Sequence, residues 1–309
     1  MAPRKIINLA TKTRDEIYAH YKNNAHNEIT THLRASELGH KCERYVWMKY
    51  HWCFDASFDG RMTRLFQTGH LEEARVIRDL EAIGVKVIES QYEVIGLNGK
   101  LKGHIDGVAI GVKEDPETPH LFECKTHSLN SFQKLELEGV EKSKPQHYAQ
   151  IQLYLGLIEP ELTKALYVAV CKNTDDIYCE IVKKDTPAFT ALIEKAERIL
   201  DAQEMPAKCS ESFEFPPCSW CDYVSYCHQT WPNTSVDAKF PNINCRTCAD
   251  FGGSCMAGVD ASEGCNAHLY NVSLVPFLPQ EGDRNDVVYL TLDGKRLRNK
   301  ERKFEEVAQ

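Results

Sequence analysis

The sequence contains no apolar run approaching the ~18–20 residues that a membrane-crossing helix needs. Its first residues, Met1 to Asn8, lack the apolar centre of a secretory signal. The expectation is a cytoplasmic protein with no membrane partner. Also missing are a Walker-type glycine loop and any nicotinamide or flavin fingerprint, which argues against a nucleotide-driven motor and against a dehydrogenase. Positive charge is not in excess either: 37 Lys and Arg face 45 Asp and Glu, a net charge of -8. That balance does not exclude nucleic acid, because binding follows where the cations sit rather than their sum. Cations concentrate in the first fifty residues, from Arg4 to Lys49, and again from Lys295 to Lys303. The plainest reading of both runs is a solvated face.

Cysteine, by contrast, is abundant, with 13 in 309 residues. In a reducing compartment disulfides rarely persist, so clustered thiols point to metal. Cys218, Cys221 and Cys227 follow Pro216-Pro217 with gaps of two and five residues, a spacing that suits a soft metal. A fourth ligand must come from elsewhere. Cys209 is near but has no partnering spacing, and Cys42 lies far upstream in a stretch rich in cations and aromatics. Alone, Cys42 reads as a small buried hydrophobe. Beyond a linker at Pro232-Asn233-Thr234-Ser235, the pairs Cys245-x2-Cys248 and Cys265-x2-His268 have the spacing of a small Zn²⁺ site, with Cys255 as a substitute ligand.

Apolar periodicity predicts helices over 13–22, 61–83, 144–157 and 186–202, and a further helix after Ser36. The 61–83 helix would bury Leu65, Leu71, Ala74, Ile77 and Leu80 and end at Gly84. Strands are predicted over 85–95, 101–112, 120–126, 162–171 and 177–182, with Cys171 and Cys179 in the core. A hairpin over 288–298 would turn at Asp293-Gly294. The expected organisation is a helical region over 1–60, an α/β core over 61–205, a cysteine segment over 206–231 and a Cys/His-rich module over 232–309.

The chain is organised around residues 103–125. Asp106 lies in one predicted strand, and Glu123 and Lys125 in the next, across a turn-forming Asp-Pro-Glu-Thr-Pro loop. Residues two apart on a strand point the same way, so Glu123 and Lys125 share a face and Cys124 points to the other. Two carboxylates and a lysine at one sheet end suit a hard divalent cation and a nucleophilic water. Taken alone, the same three residues also read as a solvated face with a cross-strand ion pair.

Asp106 followed by Glu123-Cys124-Lys125 resembles the signature of the PD-(D/E)XK nuclease superfamily, the restriction-endonuclease-like fold. Gln150 and Tyr154, one helical turn apart, resemble the Gln-x-x-x-Tyr motif of its RecB-type branch. Glu73, four residues after Gly69, fits the Gly and Glu-or-His spacing on the helix that precedes the strands, and His70 is three off that position. One cysteine before the core and three after it resemble the iron–sulfur branch, which includes CRISPR-adaptation nucleases and recombination helicase–nucleases.

The resemblance implies a mixed sheet flanked by helices and a site at the sheet edge. Asp106, Glu123 and the Cys124 carbonyl would hold Mg²⁺ or Mn²⁺, with Glu73 and His70 beside them. Lys125 would orient the attacking water, Gln150 would position Lys125 or that water, and Tyr154 would approach the nucleic-acid backbone. Cys42, Cys218, Cys221 and Cys227 would hold a 4Fe–4S cluster, with zinc at the same sulfurs as the alternative. The implied activity is phosphodiester hydrolysis in DNA by an exonuclease at single-stranded or duplex ends, in recombination or repair, with a recombination protein as partner. The alternatives are an endonuclease, a non-catalytic nucleic-acid-binding protein that keeps the fold, and an oxidoreductase, which no cofactor fingerprint supports.

Overall fold

The most continuous apolar strand in the sequence, Lys164–Cys171, is also the most enclosed: every residue after Lys164 is buried. In the computed structural model this strand lies fourth in a five-stranded sheet. The residues described are 10–25, 30–54, 58–214, 216–228, 240–251, 259–275, 278–281, 287–290, 294–300 and 302–307. Contacts divide the chain into two units, both discontinuous in sequence. One comprises Met1–Glu28, Ala56–Ile95 and Gly103–Thr186, the other Ile29–Asp55, Gly96–Lys102 and Pro187–Gln309.

The first unit carries, in chain order, α1 (Thr11–Asn23), α2 (Gly60–Ala82), β1 (Lys86–Ile88), β2 (Gly107–Ile110), β3 (His120–His127), α3 (Leu129–Ser143), α4 (Pro145–Leu157), β4 (Lys164–Cys171) and β5 (Ile177–Lys183). The sheet runs β1-β2-β3-β4-β5. Only β3 and β4 are parallel, with Glu123 opposite Tyr167 and Lys125 opposite Ala169. A parallel pair needs a crossover, and α3 and α4 supply it. The sheet is therefore mixed and flanked by helices, as the resemblance implies.

Asp59 caps α2 by accepting from the Met62 N–H at 2.7 Å. The helix ends before Gly84, whose φ of +83° suits glycine. Val76 enters the core with Phe122, Cys124, Leu166, Val168 and Val170, and Ile77 and Leu80 pack against it. The expected apolar stripe fails nearer the start, where Leu71 and Ala74 are exposed. That half of α2 lies along α1 instead. Tyr21 donates to Gln67, and a Cβ on Gly60 would overlap the Tyr18 carbonyl.

Three other expectations change. The strand expected over 85–95 stops at Ile88, because Glu89 and Gln91 turn through positive φ, and resumes at Glu93–Gly96. The strand expected over 101–112 is two, Leu101–His104 and Gly107–Ile110. At the break, Ile105 exchanges backbone hydrogen bonds with Gln91 and Tyr92 rather than continuing the ladder. Cys179 is exposed, because β5 is an edge strand, whereas Cys171 is buried.

In the second unit, the helix expected after Ser36 is two short ones, Ala35–Leu38 and Glu43–Tyr50. Between them the Cys42 N–H donates to His40 Nδ1 at 3.1 Å, so Cys42 rather than Ser36 stands at the second N-cap. Buried Trp47 donates to the Ala202 carbonyl at 3.0 Å, and Lys195 donates to the His40 carbonyl at 2.6 Å. The Arg246 guanidinium lies 4.0 Å from the Tyr50 ring and 4.1 Å from the Trp52 ring, and donates to the Thr31 carbonyl. Val288–Leu290 and Arg296–Lys300 pair antiparallel, as the predicted hairpin requires, within a four-stranded sheet. Asp293 and the 232–235 linker lie outside the described residues. Among the described residues no helix is long and apolar enough to cross a membrane.

The close approach of β1 to β2 yields a test. A Cβ on Gly107 would lie 2.6 Å from Val87 Cγ1 and 3.1 Å from the Ile88 carbonyl oxygen. Gly107→Ala is expected to cost about 1–3 kcal/mol in urea unfolding. Wild-type stability in that variant would show that the two strands do not pack as described.

Candidate active site

Alternation along β3 sends Phe122 and Cys124 into the core beneath α2 and leaves Glu123 and Lys125 on the opposite face. The break before β2 frees Asp106 to reach β3, where its Oδ2 accepts the Cys124 N–H at 2.8 Å. On α4, Gln150 and Tyr154 share one face. Gln150 Nε2 donates to Glu123 Oε1 at 2.8 Å and to the Tyr154 hydroxyl at 3.1 Å. Lys125 Nζ donates to that same Glu123 oxygen. Glu73, from α2, accepts from Gln91 Nε2 at 3.3 Å and feels the charges of Asp106 and Lys125. His70 is exposed and acts on this group through its field at Glu73.

The structure thus brings Asp106, Glu123, Lys125, Glu73, Gln150 and Tyr154 together and leaves His70 at the rim. Gln150 thus reaches Glu123, which Lys125 also reaches, and the Tyr154 side chain that it touches is only 2 % exposed.

Glu123 is fully buried, and among the described residues its Oε2 has no hydrogen-bond partner. Burial lifts its pKa to about 7, with Lys125 pulling down and Asp106 pushing up. Burial opposes the Lys125 ammonium, but Glu123 and Asp106 outweigh it and raise its pKa. Glu73 is raised by burial and then by Asp106. Three carboxyl groups thus crowd one ammonium, and leaving a buried oxygen unpaired costs on the order of 1–3 kcal/mol. A cation at Oε2 would remove that cost, and an all-oxygen donor set suits a hard divalent one. Among the described residues no group of three or more His, Cys, Asp or Glu side chains is already arranged to hold a metal ion.

Sequence reasoning missed a second layer behind this site. His127 continues the Glu123–Lys125 face of β3, and His147 lies one turn before Gln150 on α4. The Tyr167 hydroxyl bridges them, 3.0 Å from His127 Nε2 and 2.9 Å from His147 Nδ1. Burial and then the Lys125 charge hold His147 at about 3, so the ring stays neutral. The signal was present, in the two-residue period 123–125–127 and the helical spacing 147–150–154. Asn173 Oδ1 accepts the Leu129 N–H at 2.8 Å and so anchors the start of α3.

In the second unit, Cys42, Cys218, Cys221 and Cys227 line one open pocket. Cys209, which its spacing did not mark as a ligand, lines it too. Cys42, Cys218 and Cys227 are buried, and Arg44 donates to Cys227 Sγ at 3.5 Å. Burial pushes the Cys221 thiol up to about 11. Farther along, the Cys248 N–H returns to the Cys245 carbonyl and the His268 N–H to the Cys265 carbonyl, so each pair forms a tight turn. His268 is fully buried, with Nε2 3.2 Å from the Thr247 hydroxyl and Nδ1 without a partner. Cys255 lies outside the described residues.

The family model described as the PD-(D/E)XK nuclease superfamily matches residues 19–228. No curated protein matches the chain. Among solved structures, SSO0001 is 16 % identical with a TM-score of 0.42, over 70 % of this chain and 96 % of that one. The alkaline exonuclease LHK-Exo from Laribacter hongkongensis is 16 % identical with a TM-score of 0.39, over 60 % of this chain and 90 % of that one. A phage-related exonuclease from Haemophilus somnus 129PT is 14 % identical with a TM-score of 0.38, over 54 % and 91 %.

The buried carboxyl predicts a pH dependence of stability. Since the folded-state pKa of Glu123, about 7, exceeds the ordinary value of 4.5, the folded protein binds more protons than the unfolded chain between those values. Stability of the metal-free protein therefore falls as pH rises through that window, by on the order of 3 kcal/mol from this group. Urea unfolding in the presence of chelator at pH 4.5 and 7.5 should show this loss reduced in Glu123→Gln. An identical pH slope in both proteins would contradict it.

Proposed function

Since the chain belongs to the PD-(D/E)XK nuclease superfamily, we propose that it is a Mg²⁺- or Mn²⁺-dependent deoxyribonuclease acting from DNA ends in the cytoplasm. The observation that carries this reading is the buried Glu123 carboxylate, with one oxygen unpartnered beside Asp106, Glu73 and Lys125. Asp106, Glu123 and the Cys124 carbonyl would hold the ion, with Glu73 joining directly or through water. Once bound, it would supply Lewis acidity toward a phosphoryl oxygen and a more acidic water.

The chain's own groups divide the remaining work. Gln150, braced by Tyr154, fixes the orientation of Glu123. The main-chain N–H of Cys124 fixes Asp106. Lys125, whose ammonium persists because two carboxylates favour it, directs the attacking water and stabilises negative charge on the phosphate in the transition state. The water oxygen bonds to phosphorus as one ester oxygen departs.

The likeness of the cysteine spacing to the iron–sulfur branch supports the preference for strand ends, and for a role in recombination or repair beside a partner protein. Four thiols around one cavity suit a soft, sulfur-bound group, so Cys42, Cys218, Cys221 and Cys227 would hold a 4Fe–4S cluster. Such a cluster would close a loop of nearly two hundred residues, where cross-links remove the most chain entropy in principle. Cys245, Cys248, Cys265 and His268 would hold Zn²⁺ in the C-terminal module.

The assay is digestion of end-labelled single- and double-stranded DNA, and of a covalently closed circle, with Mn²⁺. The wild type should release nucleotides from linear DNA and spare the circle. Asp106→Asn, Glu123→Gln and Lys125→Ala should each lower the rate by about 100-fold or more. Full metal-dependent activity in Glu123→Gln or Lys125→Ala would refute the assignment, and equal cutting of the circle would refute the preference for ends.

A further inference from the structure

A four-iron cluster takes four thiolates, and the cavity in the second unit is lined by five cysteines. The fifth is Cys209. Its Sγ lies 3.7 Å from Cys218 Sγ, and the Cys42 thiol is its other hydrogen-bonding neighbour. It thus adjoins two of the four expected ligands, one from each end of the sequence pattern. Its position differs from theirs in two ways. Cys218 is buried in the 3-10 turn Cys218–Trp220, whereas Cys209 is exposed and belongs to no helix or strand. Two sulfurs 3.7 Å apart are in van der Waals contact, so carrying Cys209 into the place of Cys218 requires a shift no longer than that contact.

We propose that Cys209 is a reserve ligand of this site, taking the coordination place of Cys218 when that thiolate is lost. The inference rests on the reading of the cysteine cavity as a metal–thiolate site and adds a ligand to it. The exchange is a substitution without change of oxidation state: the Cys209 thiol gives its proton to solvent, a metal–sulfur bond forms to Cys209, and the bond to Cys218 breaks. Being the exposed member of the pair, Cys209 meets solvent while Cys218 is shielded, so the site keeps a full ligand set when one of the two is modified. Among the described residues the thiols acting on Cys221 are Cys42, Cys227 and Cys218, all three expected ligands themselves.

The test compares full-length wild type, Cys209→Ser, Cys218→Ser, the double variant and Cys221→Ser, all purified without oxygen. The readouts are iron, acid-labile sulfide, zinc and visible absorption per chain. Each of Cys209→Ser and Cys218→Ser should retain about half or more of the wild-type metal, and the double variant and Cys221→Ser about a tenth or less. In a second readout, iodoacetamide with peptide mapping should label Cys209 in metal-loaded wild type and fail to label it in metal-loaded Cys218→Ser. Circular dichroism separates loss of metal from loss of fold. If folded Cys218→Ser is as empty as the double variant, or if Cys209→Ser alone empties the site, the proposal is overturned. Should Cys218→Ser not fold, protection of Cys209 in metal-loaded wild type would overturn it and labelling would support it. Zinc without iron in the wild type would refute the iron–sulfur reading while the same comparison, read on zinc, still decides the reserve ligand; no metal at all would refute both.

Discussion

A fully buried carboxylate with only one satisfied oxygen is the constraint around which the first unit is arranged. Glu123 Oε1 receives both the Lys125 ammonium and the Gln150 amide, while Oε2 receives nothing from the described residues. In a low-dielectric interior that imbalance is costly and shows as a pKa raised to about 7. A core selected for stability alone would place an apolar residue there. The surrounding groups instead hold the carboxylate in one orientation, as a coordinating role requires. The strand break at Ile105 serves the same end, since a continuous ladder would not leave Asp106 free to accept the Cys124 N–H.

Much of this was legible in the sequence because it follows from short-range geometry. The two-residue period of β3 places Glu123 and Lys125 together and Cys124 in the core, and the helical turn of α4 places Gln150 beside Tyr154. What was not legible depends on distant partners. The breaks in the strands before β3 arise from the pairing of Ile105 with Gln91 and Tyr92. Helix α3 has apolar residues at Phe132, Leu135 and Val140, too irregular a series to announce a helix, and a kink at Gly139, φ +72°. Nor does spacing reveal that the segment 96–102 belongs to the second unit.

The cysteines show the same division. Spacing selected Cys218, Cys221 and Cys227 and, through the resemblance, Cys42, and the fold brings these four to one cavity. Spacing could not select Cys209, because the loop between it and Cys218 has no fixed period, and only the folded path sets the two sulfurs in contact. The two units therefore present different chemistry. One gathers hard oxygen donors around a half-buried ammonium; the other gathers soft sulfur donors around an open pocket.

The claim on which the account turns is that the unpartnered Glu123 oxygen is a divalent-cation ligand. Titration calorimetry of Mn²⁺ into the chelator-stripped protein at pH 8, with Glu123→Gln alongside, tests it without any nucleic acid. The wild type should bind Mn²⁺ saturably and the variant about tenfold or more weakly than that, since the amide keeps the shape and removes the charge. Equal affinities in the two proteins would contradict it.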